Sequence, residues 1–274
     1  MSEPSRGVVS LRSGRRASFS VQGAASSPPL LLNRPLGGSM SMWGDFADEL
    51  SRTMRVISFD PLGVGQSSDV PLGYTTREMA RDAVQVLDHL RIASAHVFGL
   101  SLGGMVASYL ALDFTARLRS LVLASTIPEP EAVSLRGVEK LLSLSRSLIG
   151  PRADVEVRLV HRILSPEFRA AHPERVTEIE RRIGQTPASR RNLAILALAA
   201  ARHSAPLERL PRSLRTLLLF GEHDPLAAAR ARHELRRELP HAECELIAGA
   251  GHDISLERPR ELAERVSTFA LLTP

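Results

Sequence analysis

Cysteine is nearly absent from this chain. Cys244 is the only one in 274 residues, so no internal disulfide can form and a small disulfide-stapled scaffold is excluded. Lysine is as scarce: Lys140 stands alone, and 34 of the 35 basic residues are arginine, a bias that reads as codon usage in a GC-rich bacterial genome. Aromatic residues are only 4%. The arginines are interleaved with acids, as in Glu178, Glu180, Arg181, Arg182 and Glu234, Arg236, Arg237, Glu238. The net charge of +5 therefore reads as solvated mixed-charge helix faces, not as the clustered basic stripe of a nucleic-acid binder. Long apolar runs are missing too. Leu193–Ala201, nine residues, is the longest and is too short to span a bilayer. Met1–Ser20 has arginines but no apolar stretch of the kind a secretory signal needs. The expectation is a cytoplasmic protein with neither a membrane nor a nucleic-acid partner.

What is present is ordinary for a globular protein: 43% hydrophobic and 24% charged residues. The length suits one large α/β domain with an insertion. Val8–Leu11 and Ala17–Val21 flank a Ser13-Gly14 turn and read as a hairpin. Leu30–Leu32 and Val56–Phe59 read as buried strands, and Met42–Arg52 as an amphipathic helix between them. Thr75 and Glu78 stand at capping-box spacing before the apolar ladder Met79, Ala83, Val86, Leu87, Leu90. Strand Ala95–Phe98, helix Gly103–Leu112 and strand Leu121–Ala124 follow. Such alternation signals a mostly parallel central sheet with helices on both faces. It stops at Pro128–Pro130, gives way to a helical pattern broken at Gly150-Pro151, Pro166, Pro173 and Pro187, and resumes after Leu210. There Leu217–Phe220 and Cys244–Ile247 read as strands, and Leu226–Leu239 and Pro259–Leu271 as helices. The expected organisation is an α/β core, residues 1–128 and 211–274, interrupted by a helical lid, residues 129–210.

The chemistry concentrates in the turns that follow strands. Gly99-Leu100-Ser101-Leu102-Gly103 is G-x-S-x-G between a strand and a helix. A sharp turn there presents the serine hydroxyl, and small residues two before and two after leave room for the bend. Ser101 is the candidate nucleophile. A serine hydroxyl needs a base within hydrogen-bond reach, and the base needs an orienting carboxylate. Two later turns supply them in the order acid, then histidine. Leu217–Phe220 runs into Gly221-Glu222-His223-Asp224, and Cys244–Ile247 runs into Ala248-Gly249-Ala250-Gly251-His252-Asp253. His252 is the candidate base and Asp224 the candidate acid, with Glu222 and Glu129 as alternatives. No metal or cofactor is implied: the histidines show no metal-ligand spacing, and Gly63-Val64-Gly65 lacks the third glycine of a dinucleotide loop.

Taken together, Gly99–Gly103, Asp60-Pro61-Leu62-Gly63-Val64-Gly65-Gln66-Ser67, Gly221–Asp224 and Gly251-His252 resemble the α/β-hydrolase superfamily over essentially the whole chain. The resemblance implies an oxyanion hole of two backbone amides, one from Leu102 and one from the loop after the third strand, where alignment on Trp43 puts the donor at Leu36. It also exposes two departures. The family's His-Gly pair stands here as Arg34-Pro35, and its Asp-x-Arg-Gly as Asp60-Pro61-Leu62-Gly63. Arg34 near that loop is a candidate for gripping a substrate carboxylate, or for pairing with Asp60 as scaffolding. Leu36-Gly37, Met42-Trp43, Gly73-Tyr74-Thr75 and His96–Val106 are most similar to 3-oxoadipate enol-lactonases and their esterase relatives.

Met40, Met42 and Trp43 are candidates for an apolar acyl pocket, with the core face of the next helix as the alternative for Met42 and Trp43. Leu193, Leu196 and Leu198 read as lid core. The expected activity is hydrolysis of a small-molecule carboxylic ester or lactone. Cleavage of a carbon–carbon bond, a cofactor-free perhydrolase and a ligand receptor on the same scaffold stand as alternatives.

Overall fold

The computed structural model describes residues 4–129, 158, 160–185, 188–227 and 229–272. Its eight strands form one sheet in the order β1-β2-β4-β3-β5-β6-β7-β8. These are β1 (Ser5–Ser10), β2 (Arg16–Gln22), β3 (Pro29–Asn33), β4 (Arg55–Phe59), β5 (Ala95–Leu100), β6 (Leu118–Ala124), β7 (Thr216–Gly221) and β8 (Glu243–Ile247). β1 and β2 form the expected hairpin, and β2 joins β4 antiparallel. Every other pairing is parallel, so β3 to β8 all end on the same side of the sheet.

The central strands are apolar on both faces because both are covered. Leu31, Ile57, Val97 and Leu121 point into one core, while Leu30, Leu32, Val56, Phe98 and Val122 point into the other, as the two-residue period of a strand requires. Helices α2 (Thr76–His89) and α3 (Leu102–Asp113) pack on the first face. Helices α1 (Gly44–Leu50) and α9 (Pro259–Leu271) pack on the second. The Thr75–Glu78 capping box forms as read from the sequence. The helix expected over Met42–Arg52 is divided: a 3-10 turn covers Met40–Trp43 and the α-helix starts at Gly44, whose φ of 41° breaks the run.

Between β6 and β7 lie α4 (Pro166–Ala171), α5 (Pro173–Gln185) and α6 (Arg190–Ala201). The helical pattern read over 130–157 and the break at Pro187 fall outside the described residues. This inserted segment closes on the core through a third apolar cluster. There Val160, Leu164, Phe168, Val176 and Ile179 meet Met42 and Leu256 from the core. Of the leucines expected as lid core, Leu196 is fully buried but in the first core cluster, Leu193 is half-buried and Leu198 is 44% exposed. Two short helices, α7 (Ala229–Glu238) and α8 (Ile254–Glu257), follow β7 and β8.

Candidate active site

Ser101 sits between the last residue of β5 and the first of α3, at φ 55° and ψ −118°. L-residues avoid that conformation, at a strain of roughly 1–3 kcal/mol. Its surroundings hold it there. The Ser101 amide donates to the Ala124 carbonyl across 2.9 Å, and the Thr126 hydroxyl donates to the Ser101 carbonyl at 2.8 Å. The flanking glycines are obligatory. A Cβ on Gly99 would lie 2.2 Å from the Gly103 carbonyl oxygen, and one on Gly103 would lie 1.9 Å from that of Asn33.

Asp224 and His252 arrive from the ends of β7 and β8. Gly221 lets those two turns stack, since a Cβ there would meet the Gly251 carbonyl oxygen at 2.0 Å. The His252 Nε2 lies 2.9 Å from Ser101 Oγ, and its Nδ1 lies 2.9 Å from each carboxylate oxygen of Asp224. Asp224 Oδ1 also accepts the amides of Leu226 at 2.8 Å and Ala227 at 2.9 Å. Burial pushes the Asp224 carboxyl up, but the facing His252 and these amides prevail and hold it below its usual value. Burial pulls the His252 imidazole down, and the Asp224 carboxylate overrides it, leaving the imidazole above its ordinary 6.5. The alternative acids face elsewhere. Glu222 accepts the Gly249 amide at 3.0 Å, and Glu129 accepts the Ser204 hydroxyl at 3.2 Å.

The loop after β3 crosses directly over the start of α3, in the space Gly103 leaves open. The Asn33 side-chain amide donates to the Phe98 carbonyl at 3.2 Å. Pro35–Gly38 forms a tight turn in which the Gly38 amide donates to the Pro35 carbonyl at 3.1 Å and Gly37 takes φ 71°. That turn does not use the Leu36 amide. Leu102 is the first residue of α3, where a helix has no internal acceptor for its amides. Leu102 thus adjoins Ser101, and the loop that carries Leu36 passes over the start of the same helix.

A family model for the alpha/beta hydrolase fold matches residues 28–259. The chain belongs to the α/β-hydrolase family. It is 30% identical over 242 residues to a candidate carbamate hydrolase (RutD) of Caulobacter vibrioides, covering 88% of this chain and 89% of that one. It is 25% identical over 279 residues to 3-oxoadipate enol-lactonase 1 of Acinetobacter baylyi, covering 98% of each. A hydrolase from Pseudomonas aeruginosa superposes with a TM-score of 0.83 at 26% identity, covering 96% of this chain and 97% of that one. The chain is a hydrolase with enol-lactonase-like relatives.

Of the three side chains expected around substrate in this α/β-hydrolase, Arg34 and Trp43 are buried in the protein's own interior. Arg34 is 5% exposed. Its Nη2 pairs with Asp253 Oδ2 at 3.2 Å, its Nη1 lies 3.4 Å from Ser255 Oγ, and its guanidinium stacks 4.3 Å from the Trp43 ring centre. It therefore faces a carboxylate of its own chain, and that carboxylate is Asp253, not Asp60. Trp43 is 1% exposed and packs between Phe46 and Phe98, so it is core and not pocket wall. Met40 is half-buried against the same core, and its amide donates to Asp60 Oδ1 at 2.6 Å. Asp60 also accepts the Ser18 hydroxyl at 3.0 Å and so anchors the loop from below.

The sequence reading missed Glu257, which is 3% exposed. Its Oε1 accepts the amides of Ser165 at 2.8 Å and Gly251 at 3.0 Å, and its Oε2 accepts the Ser165 hydroxyl at 2.8 Å. Burial pushes this carboxyl above its usual value, partly offset by those donors. No local pattern marks it, because Ser165 lies 92 residues away. Among the described residues no cluster of His, Cys, Asp and Glu could hold a metal ion, and no helix is long and apolar enough to cross a membrane.

Proposed function

We propose that this protein is a serine hydrolase that cleaves a carboxylic ester or lactone of a small molecule through an acyl-enzyme. The observation that carries the reading is the unbroken relay Ser101–His252–Asp224, at 2.9 Å per step, with the serine in a strained turn at a helix start. Asp224 accepts a hydrogen bond from Nδ1–H, which fixes the tautomer and leaves Nε2 as the basic nitrogen. Nε2 takes the Ser101 proton as Oγ attacks the carbonyl carbon. The amides of Leu102 and Leu36 receive the developing oxyanion, each contributing about 3 kcal/mol in the transition state. Protonated His252 then returns its proton to the leaving alkoxide, which in a lactone stays attached to the acyl group. A water, deprotonated in turn by His252, releases the acid and frees Ser101.

Residues 129–210 serve as a lid over this site, and residues 1–128 with 211–274 form the hydrolase core. The third apolar cluster, in which Val160, Leu164, Phe168, Val176 and Ile179 of the insertion meet Met42 and Leu256, supports that division.

Intact mass after a fluorophosphonate probe tests the reading. The expected result is one adduct on the wild type and none on Ser101→Ala. A panel of aliphatic esters, lactones and carbamates then assigns the bond. Carbamates belong in it because a relative at 30% identity is named for that activity. A well-folded wild type that takes no adduct and turns over none of the panel overturns the reading and favours a receptor on this scaffold.

A further inference from the structure

The described part of the oxyanion loop is tied to the protein at three points. Asn33 is pinned to β5 through Phe98, and Met40 is pinned to Asp60. The third tie is the buried pair of Arg34 and Asp253, both side chains 2% exposed. Asp253 follows His252 directly, so this pair joins the loop that carries the Leu36 amide to the loop that carries the base. The Arg34 side chain also curls back beneath its own loop. A Cβ on Gly38 would come 2.9 Å from Arg34 Nε and 3.1 Å from Nη2, so the guanidinium lies against the floor of the Pro35–Gly38 turn. Its other face rests on Trp43, which is itself fixed in the core. Ser255 completes the arrangement by donating to Asp253 Oδ1 while standing beside Arg34 Nη1.

We infer that Arg34 and Asp253 are a positioning pair that holds the Leu36 amide and the His252 loop in fixed relation to Ser101. The inference rests on the serine-hydrolase reading above. An oxyanion donor is effective only when it is already aimed at the place where charge develops. Leu36 sits in a turn containing two glycines, whose own chain conformation is loosely determined. A bulky, planar cation locked beneath that turn by a carboxylate and an indole supplies the missing rigidity. Pairing to the residue after His252 means that the donor and the base cannot shift independently. Neither residue touches substrate.

The test uses Arg34→Met, Arg34→Lys, Asp253→Asn and the double variant Arg34→Met/Asp253→Asn. Each is assayed on p-nitrophenyl acetate and for its rate of fluorophosphonate labelling, with thermal melting to establish folding. Arg34→Met is expected to lower kcat by about 10–100-fold while KM moves less than about threefold, as expected when a transition-state donor loses its aim. Labelling of Ser101 should slow in parallel. Arg34→Lys keeps the charge and the reach to Asp253 and should recover most of the loss. The double variant should be no slower than Arg34→Met alone, since both changes break one link. If Arg34→Met leaves an unpaired buried carboxylate and fails to fold, the double variant, which removes that charge, carries the comparison.

Wild-type kcat in any folded variant lacking the pair overturns the inference. So does a loss confined to KM and seen only for carboxylate-bearing esters, which would make Arg34 a substrate contact. A wild type that neither labels nor turns over ester defeats the hydrolase reading and the pair's role with it. A wild type that labels while the variants label equally fast defeats the pair's role alone.

Discussion

The backbone amide of His252 donates to the carbonyl of Ile163 across 2.9 Å, and the amide of Asp253 donates to the same oxygen at 3.0 Å. The loop of the proposed base therefore hangs from the inserted segment. Two residues further along that segment, Ser165 caps α4 through its hydroxyl and binds Glu257, which in turn holds Gly251. Ile163 and Ser165 of the insertion and the loop of His252 are one hydrogen-bonded unit.

Glu257 gives that unit a measurable signature. In Glu257→Gln the amide oxygen can keep the Ser165 and Gly251 N–H groups, and only the donation from the Ser165 hydroxyl to Oε2 is lost, its oxygen accepting from the new NH2 instead. Glu257→Ala leaves those donors buried and unpaired and should cost about 3 kcal/mol in urea unfolding. The pH dependence separates the two further. Because burial raises the folded-state value, the proton bound to Glu257 stabilises the fold fully below its unfolded value, and this contribution disappears as pH rises through the raised one. Wild type should thus lose stability relative to Glu257→Gln over that window. A constant difference between the two curves would refute the buried-charge account.

The base should report its neighbour in the rate profile. The Asp224 carboxylate holds the His252 imidazole above 6.5, and protonated imidazole cannot accept the Ser101 proton. On a neutral ester, kcat/KM should therefore fall on the acid side with an inflection above 6.5. Asp224→Asn removes the main effect that opposes burial, so the inflection should move down while the rate drops by about 10³–10⁴-fold. An inflection that stays where it was in Asp224→Asn would show that another group titrates.

The strain at Ser101 is separable from its chemistry. Both Ser101→Ala and Ser101→Gly remove the nucleophile and should abolish fluorophosphonate labelling. Only glycine relieves the φ of 55°. Ser101→Gly should therefore be more stable than Ser101→Ala by about 1–2 kcal/mol, read from denaturant midpoints. Equal stabilities would mean that the elbow relaxes in the variants.

Legibility in the sequence followed the range of the interactions. The elbow, the capping box of α2 and the bounds of α9 depend on residues a few positions apart, and the pattern carried them. Asp224 and His252 stand out as candidates because strand-then-turn placement puts both at the same end of a parallel sheet. Arg34 carried no such signal. Its partner Asp253 lies 219 residues away, and the sequence offered only a substrate carboxylate or Asp60. Trp43 was ambiguous for a different reason: an indole at a helix start suits a pocket wall and a core equally, and only its seat between Phe46 and Phe98 decides. Leu198 failed because an unbroken apolar run does not reveal which face of its helix turns outward.

Gly103 is where loop, helix and nucleophile converge most tightly. Its φ is not in the left-handed region, so an alanine there meets no backbone penalty. The obstacle is contact: a Cβ would stand 1.9 Å from the Asn33 carbonyl oxygen and 2.9 Å from that of Arg34. Those atoms are backbone and cannot rotate away, so the loop after β3 must lift from α3 as a unit. Lifting it withdraws the Leu36 amide and pulls on the Arg34–Asp253 tie, while the contact of His252 with Asp224 stays made. Gly103→Ala should therefore destabilise the fold by about 1–3 kcal/mol and lower kcat by about 10²-fold or more. His252 should still titrate above 6.5 in its rate profile, because the Asp224 contact that raises it is untouched. A normal kcat in Gly103→Ala would separate the Leu36 amide from catalysis and leave Leu102 as the donor of consequence.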